Sequence, residues 1–160
     1  MTNSKQNKSK KILVAFYSRD GHTRKVAKLI AKRLNADIDE IEDKKPRKGL
    51  IGFLIAGYDA TRGKTTEITF SKDPSDYEIV ILGSPVWNGR LTPAVRTYLL
   101  ENKEKIKKAC FFVTCGIKGG KALTQMHEIY GGEVLGEKVV ARKNLEEEAR
   151  RFAEELKSMI

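Results

Sequence analysis

Three stretches of this chain, 12–17 (ILVAFY), 77–83 (YEIVILG) and 109–115 (ACFFVTC), are apolar almost without interruption. A strand with one wet face alternates apolar and polar residues, because successive side chains point to opposite sides of the sheet. Runs without that alternation belong to strands covered on both faces, and such strands are parallel ones packed between helices. Helical patterns fall between them. Residues 23–34 carry Val26, Ile30 and Leu34 at a spacing of four. Thr92-Pro93 supplies an N-cap followed by proline at the first helical position, with the helix running to Asn102. A further helix within 119–130 is ended by Gly131-Gly132.

Residues 36–42 read as a weaker second strand, and 138–141 as a fifth that starts as early as Val134. Asn144 opens a last helix, with Glu147 as its capping-box partner and Leu145, Ala149, Phe152, Leu156 and Ile160 on the buried face. Between 43 and 67, Leu50, Ile51, Phe53, Leu54, Ile55 and Tyr58 predict a largely buried helix closed by Arg62-Gly63, although Gly52 and Gly57 weaken it.

Five strands alternating with helices predict one doubly wound α/β domain over residues 11–160, preceded by a disordered basic arm, 1–10. Ligands of such sheets bind outside the carboxyl ends of the strands, so three loops matter: 18–23, 84–91 and 114–121. The first, Ser18-Arg19-Asp20-Gly21-His22-Thr23, joins a strand to a helix. About four N–H groups in a first helical turn lack intrahelical partners, and the helix dipole is positive there, so the loop is an anion site. Ser18 and Thr23 add hydroxyls, and Gly21 admits close backbone approach.

Other chemistry is disfavoured by what the chain lacks. No apolar run reaches the roughly 20 residues that span a bilayer, and the lysine-rich N-terminus has no signal-peptide core, so a cytoplasmic protein is expected. Two cysteines five positions apart in one strand point to opposite faces, which makes a disulfide implausible; Cys110 reads as core filler and Cys115, at the strand end, as a candidate to line a site. Two histidines and two cysteines leave no metal-ligand set. The net charge of +10 arises from 31 basic and 21 acidic residues, clustered at 5–11, 44–48 and 103–108. These clusters read as solvated faces that favour acidic partners; nucleic acid binding would need a continuous basic face interleaved with aromatics. A receiver domain would need an aspartate where Ser84 stands, and neither a phosphate-loop lysine motif nor a dinucleotide glycine fingerprint is present.

Taken together, the three loops resemble those of the flavodoxin family: Ser18 to Thr23 after the first strand, Gly83-Ser84-Pro85-Val86-Trp87-Asn88-Gly89 after the third, and Thr114-Cys115-Gly116 with Gly119-Gly120 after the fourth. The resemblance implies a flavodoxin-like three-layer α/β/α sandwich whose five-stranded parallel sheet has the order 2-1-3-4-5. It also implies FMN as cofactor, with 18–23 around the phosphate, Pro85 to Gly89 beside the ring with Trp87 stacked on it, and Ser84 among the cofactor-binding residues. Thr114 and Cys115 would belong to the cofactor-binding set, and the glycines at 116, 119 and 120 would give backbone N–H donors to the flavin's pyrimidine edge. Rotation of the Asn88-Gly89 peptide would present a carbonyl to the flavin. Such a protein shuttles one or two electrons between redox partners, here a partner with an acidic docking surface.

This sequence departs from that family in three respects. The third loop has no second aromatic to cover the ring, the chain is basic rather than acidic, and Asp20 puts a carboxylate beside the expected phosphate. The run from Ser18 to Arg24 is also similar to the start of the flavodoxin-like protoporphyrinogen oxidases, which implies a quinone- or porphyrinogen-directed oxidoreductase as an alternative. A basic interaction module without FMN is the alternative from another class.

Overall fold

A computed structural model describes residues 10–160, so the arm expected over 1–10 lies outside the described residues except for Lys10. β1 (Ile12–Tyr17) pairs in parallel with β2 (Asp37–Asp43) on one side and β4 (Ile79–Trp87) on the other. β4 continues to β6 (Ala109–Cys115), and β6 to β7 (Val134–Ala141). These five parallel strands stand in the order β2-β1-β4-β6-β7, the expected 2-1-3-4-5 arrangement.

The sheet is not five-stranded, however: among the described residues it has seven strands. β3 (Ile68–Thr69) runs antiparallel along the outer edge of β2, and β5 (Arg90–Leu91) folds back on β4. Each additional strand is two residues long, too short to leave a periodic signal. β3 pairs with backbone groups that the edge of β2 would otherwise expose. The return of the chain past that edge is fixed by the buried Asp39 carboxylate, which accepts the backbone N–H of Ser71 at 3.0 Å and of Lys72 at 2.7 Å.

The unbroken apolar strands divide into two cores by alternation. Leu13, Ala15, Val80, Leu82, Phe111 and Val113 face one side, under α3 (Pro93–Asn102) and α4 (Ala122–Tyr130). Val14, Phe16, Ile79, Ile81, Cys110 and Phe112 face the other, under α1 (His22–Leu34) and α5 (Leu145–Met159). Both cores contain fully buried phenylalanines, each of which contributes about 3–5 kcal/mol against truncation to alanine. Gly83 has no Cβ because the Phe112 ring occupies that space.

Several local expectations change. β4 runs through Ser84–Trp87, which the sequence reads as loop, because Ser84 and Pro85 continue the pairing with β6 while Val86 and Trp87 pair with β5. Thr92 does not cap α3 with its side chain; its hydroxyl bonds instead to Ser84 Oγ at 2.9 Å. Asn144 forms no capping box, since a 3₁₀ turn at Arg142–Asn144 leads directly into α5. Glu147 pairs with Arg151 rather than reaching back.

The largest difference is α2 (Gly49–Thr61), which forms where a buried helix is expected but sits with its apolar face outward. Its buried positions are Gly52, Ala56, Asp59 and Ala60. The two glycines explain the inversion, because both mark close approaches. A Cβ on Gly52 would lie 2.8 Å from the Arg47 carbonyl oxygen, and one on Gly57 would lie 2.6 Å from Asn88 Nδ2. The small side of the helix is therefore the one that packs, and Leu50, Ile51, Phe53, Leu54 and Tyr58 are left outside.

Candidate functional site

At the carboxyl ends of β1, β4 and β6 one cavity collects residues from all three predicted loops. Ser18, Arg19, Asp20, His22 and Thr23 line it from the first loop, Pro85, Val86, Trp87 and Asn88 from the end of β4, and Thr114 from the end of β6. Phe53, Leu54, Ala56 and Gly57 of α2 form a further wall, and Arg142 closes it beyond β7. These last five were not legible as site residues. The one available signal was the pair Gly52 and Gly57, whose helix-weakening presence inside an apolar run indicates close packing.

The first loop is held by its own hydroxyl. Ser18 Oγ accepts the Gly21 N–H at 3.1 Å, and Gly21 takes a left-handed conformation (φ 93°) as the cap residue of α1. No side chain caps the helix, and no acidic residue stands in its first turn. The first-turn N–H groups therefore have neither intrahelical nor side-chain acceptors. Thr23 Oγ1 is paired with Thr114 Oγ1 at 2.7 Å, locking the first loop to the end of β6. Asp20 is drawn away from the helix end into a two-point pair with Arg19, at 3.2 and 3.3 Å. The carboxylate thus neutralises a neighbouring cation and does not act as the helix cap.

Arg19 also links two aromatic rings. Its guanidinium lies 5.0 Å from the Phe53 centroid and 5.5 Å from that of Trp87. Phe53 of α2 thus brings a second aromatic side chain to the cavity wall beside Trp87. Trp87 is 9% exposed and meets the Tyr17 ring edge-on, with centroids 5.6 Å apart, so the residue lines the cavity while most of its surface is already covered. Burial, with Asp43 adding to it, pushes the Tyr17 phenol well above its ordinary range.

Behind Trp87 stands a buried ionic network. Arg47 lies 5.8 Å from the Trp87 ring and binds Asp43 at 2.9 Å and Asp59 at 2.6 Å; Lys45 joins Asp59 at 2.7 Å. Burial opposes the charge on Asp59, yet hydrogen bonds from Lys45 and Arg47 outweigh it and hold the carboxyl below its ordinary value. This network fastens the chain entering α2 to the helix itself, and so fixes the wall that carries Phe53.

The β4–β5 hairpin forms one edge of the cavity. Trp87 pairs with Arg90, and Asn88 (φ 49°) and Gly89 (φ 70°) both have positive φ, the signature of a type I′ turn. Rotating the central peptide would convert it to type II′, whose first central position favours glycine and is occupied by Asn88. Rotation of the Asn88-Gly89 peptide is therefore opposed by this turn. Gly89 is held as well, its carbonyl accepting the Lys121 N–H at 2.7 Å.

Several predicted residues do not form the wall. Ser84 is fully buried, donating to the Pro85 carbonyl at 2.8 Å. Cys115 is buried near the Val140 carbonyl, and burial raises its thiol above the ordinary range. Gly119 packs on Val139, Gly120 on Gly89, and Gly116 also lies off the wall. These residues shape the backbone around the cavity, as Gly21 and Gly89 do.

No family model matches the sequence, and no curated protein matches it. Solved structures do. A flavoprotein from Lactobacillus acidophilus, crystallised in complex with FMN, is 23% identical with a TM-score of 0.71, over 88% of this chain and 99% of that one. Oxidised flavodoxin 2 from Bacillus cereus is 20% identical with a TM-score of 0.58, over 94% and 99%. A flavodoxin from Streptococcus pneumoniae TIGR4 is 18% identical with a TM-score of 0.57, over 93% and 99%. The chain has the flavodoxin-like fold.

Proposed function

We propose that this flavodoxin-like chain binds FMN in the cavity at the ends of β1, β4 and β6 and acts as an electron carrier. One observation carries the reading: the uncapped N-terminus of α1 opens into the same cavity as Trp87, Val86 and Phe53. Free N–H donors beside a flat apolar slot fit a phosphate ester attached to an aromatic ring system. The FMN complex of the Lactobacillus acidophilus flavoprotein supports the choice of ligand.

In this reading the first-turn N–H groups and the hydroxyls of Ser18 and Thr23 hold the phosphate, and His22 and Arg142 add donors at the rim. Trp87 and Phe53 confine the ring, and Arg19 moves from between them toward the phosphate. The bound flavin supplies one- and two-electron chemistry, while the protein supplies position and field. Arg19 and Arg142 outnumber Asp20 on the cavity wall, so the surround favours added negative charge and raises the potential. The basic surface suits an acidic redox partner.

A second reading, oxidation or reduction of a quinone or porphyrinogen at the same site, is favoured by Phe53 and Leu54, which offer a flat substrate an apolar wall. The test begins with the absorption spectrum of the purified protein and FMN titration of the flavin-free form. A yellow protein that releases FMN on denaturation is expected. A colourless protein that leaves FMN fluorescence unquenched overturns the proposal.

A further inference from the structure

We infer that α2 is a membrane-surface helix that docks this protein on an anionic lipid bilayer with its apolar face inserted. The inference is independent of whether the cavity holds FMN. Leu50, Ile51, Phe53, Leu54 and Tyr58 are each between 53% and 77% exposed, and the single charged residue of the helix, Asp59, is buried against Arg47 and Lys45. A helix apolar all round is ordinarily buried, and a solvated face ordinarily carries charge. Here the outward face carries none. An apolar patch of this kind marks a surface that something covers.

The rim identifies the occupant. Lys44, Lys45 and Lys48 stand before the helix, and Arg62 and Lys64 stand after it. Lys44 pairs with Glu67, and Lys45 and Lys64 lie within ion-pair distance of Asp59, which leaves Lys48 before the helix and Arg62 after it without a carboxylate partner among the described residues; the Arg62 guanidinium lies over the exposed Tyr58 ring at 5.6 Å. A second copy of the chain would bring these same cations against one another. Transient protein docking sites are about as polar as the rest of the surface, and the inserted face offers little beyond the Tyr58 hydroxyl for a protein partner to hydrogen-bond. Aliphatic and aromatic side chains framed by unpaired cations are what an anionic lipid interface accepts.

Geometry fits the same occupant. Thirteen residues make a helix of about 20 Å, too short to cross a hydrocarbon core of about 30 Å, and among the described residues no helix is long and apolar enough to span a membrane. The helix therefore lies in the interface plane. Phe53 and Leu54 belong both to this face and to the cavity wall, so docking sets the rim of the cavity at the lipid surface.

The test is co-sedimentation of the full chain with vesicles of phosphatidylglycerol mixed with phosphatidylcholine, against phosphatidylcholine alone. Binding to the anionic vesicles that weakens as salt is raised is expected. The L50Q/I51Q variant, altered outside the cavity, should keep its melting temperature and lose about tenfold or more in vesicle affinity. K48E should weaken binding severalfold. Three results overturn the inference: no binding to anionic vesicles at low salt, a dimer that L50Q/I51Q dissolves, or a photo-crosslinker at position 51 that captures an acidic protein in place of lipid.

Discussion

Thr23 and Thr114, 91 residues apart in sequence, share a hydroxyl-to-hydroxyl hydrogen bond of 2.7 Å in the floor of the cavity. Both are buried, Thr23 in the first turn of α1 and Thr114 near the end of β6. Their contact makes the phosphate side and the ring side of the proposed FMN site one rigid unit. Thr114→Val leaves the Thr23 hydroxyl buried without that partner and costs about 1–3 kcal/mol of stability, read by urea unfolding. FMN affinity falls with it in a fluorescence-quenching titration.

Arg19 and Asp20 are expected to act in opposite directions. Arg19→Ala removes a charge-assisted phosphate donor and weakens FMN about tenfold. Asp20→Asn releases Arg19 from its pair and removes a carboxylate beside the phosphate, so FMN binds more tightly. Calorimetric titration of both variants checks the two signs together.

Phe53→Ala separates stability from binding. The side chain is half-exposed, so unfolding free energy changes by about 0.5 kcal/mol or less. Loss of an aromatic contact on the ring weakens FMN by about 1 kcal/mol. Equal FMN affinity in wild type and variant would place the ring elsewhere.

Asp59→Asn takes one of two carboxylates from the buried Arg47, which keeps Asp43, and costs about 1–3 kcal/mol at neutral pH. The folded-state value of Asp59 is lowered, so its stabilisation is fully present above the ordinary aspartate value, near pH 4, and is lost as pH falls through the lower folded value. Unfolding curves of wild type and variant measured down the pH scale should therefore converge in acid.

Gly120→Ala tests how firmly the hairpin is set. Its φ of 56° penalises a side chain, and the new Cβ meets the Gly89 carbonyl. The combined cost is about 2 kcal/mol or more, seen as a lower melting temperature. Faster hydrogen exchange at the Lys121 amide, which donates to that carbonyl, locates the damage.

The sequence by itself determined the parallel strand core and the three loops that meet above it. Short apolar runs rich in β-branched and aromatic residues and bounded by turn signals read as strands buried on both faces, and strand-to-helix junctions carry their glycines and hydroxyls in local order. Ser18, Thr23, Pro85, Trp87 and Thr114 were legible for that reason. Tertiary structure alone decided which face of α2 packs, because Gly52 and Gly57 are selected by contacts with Arg47 and Asn88 that no local pattern encodes. It likewise assigned Arg142 and Phe53 to the cavity, drew Asp20 away from the helix end and returned the chain as the two short antiparallel strands. Phe53 and Arg142 reach the cavity across long separations in the chain, whereas Asp20 and Gly52 turn on near neighbours, Arg19 and Arg47, through side-chain and backbone geometry that periodicity does not report.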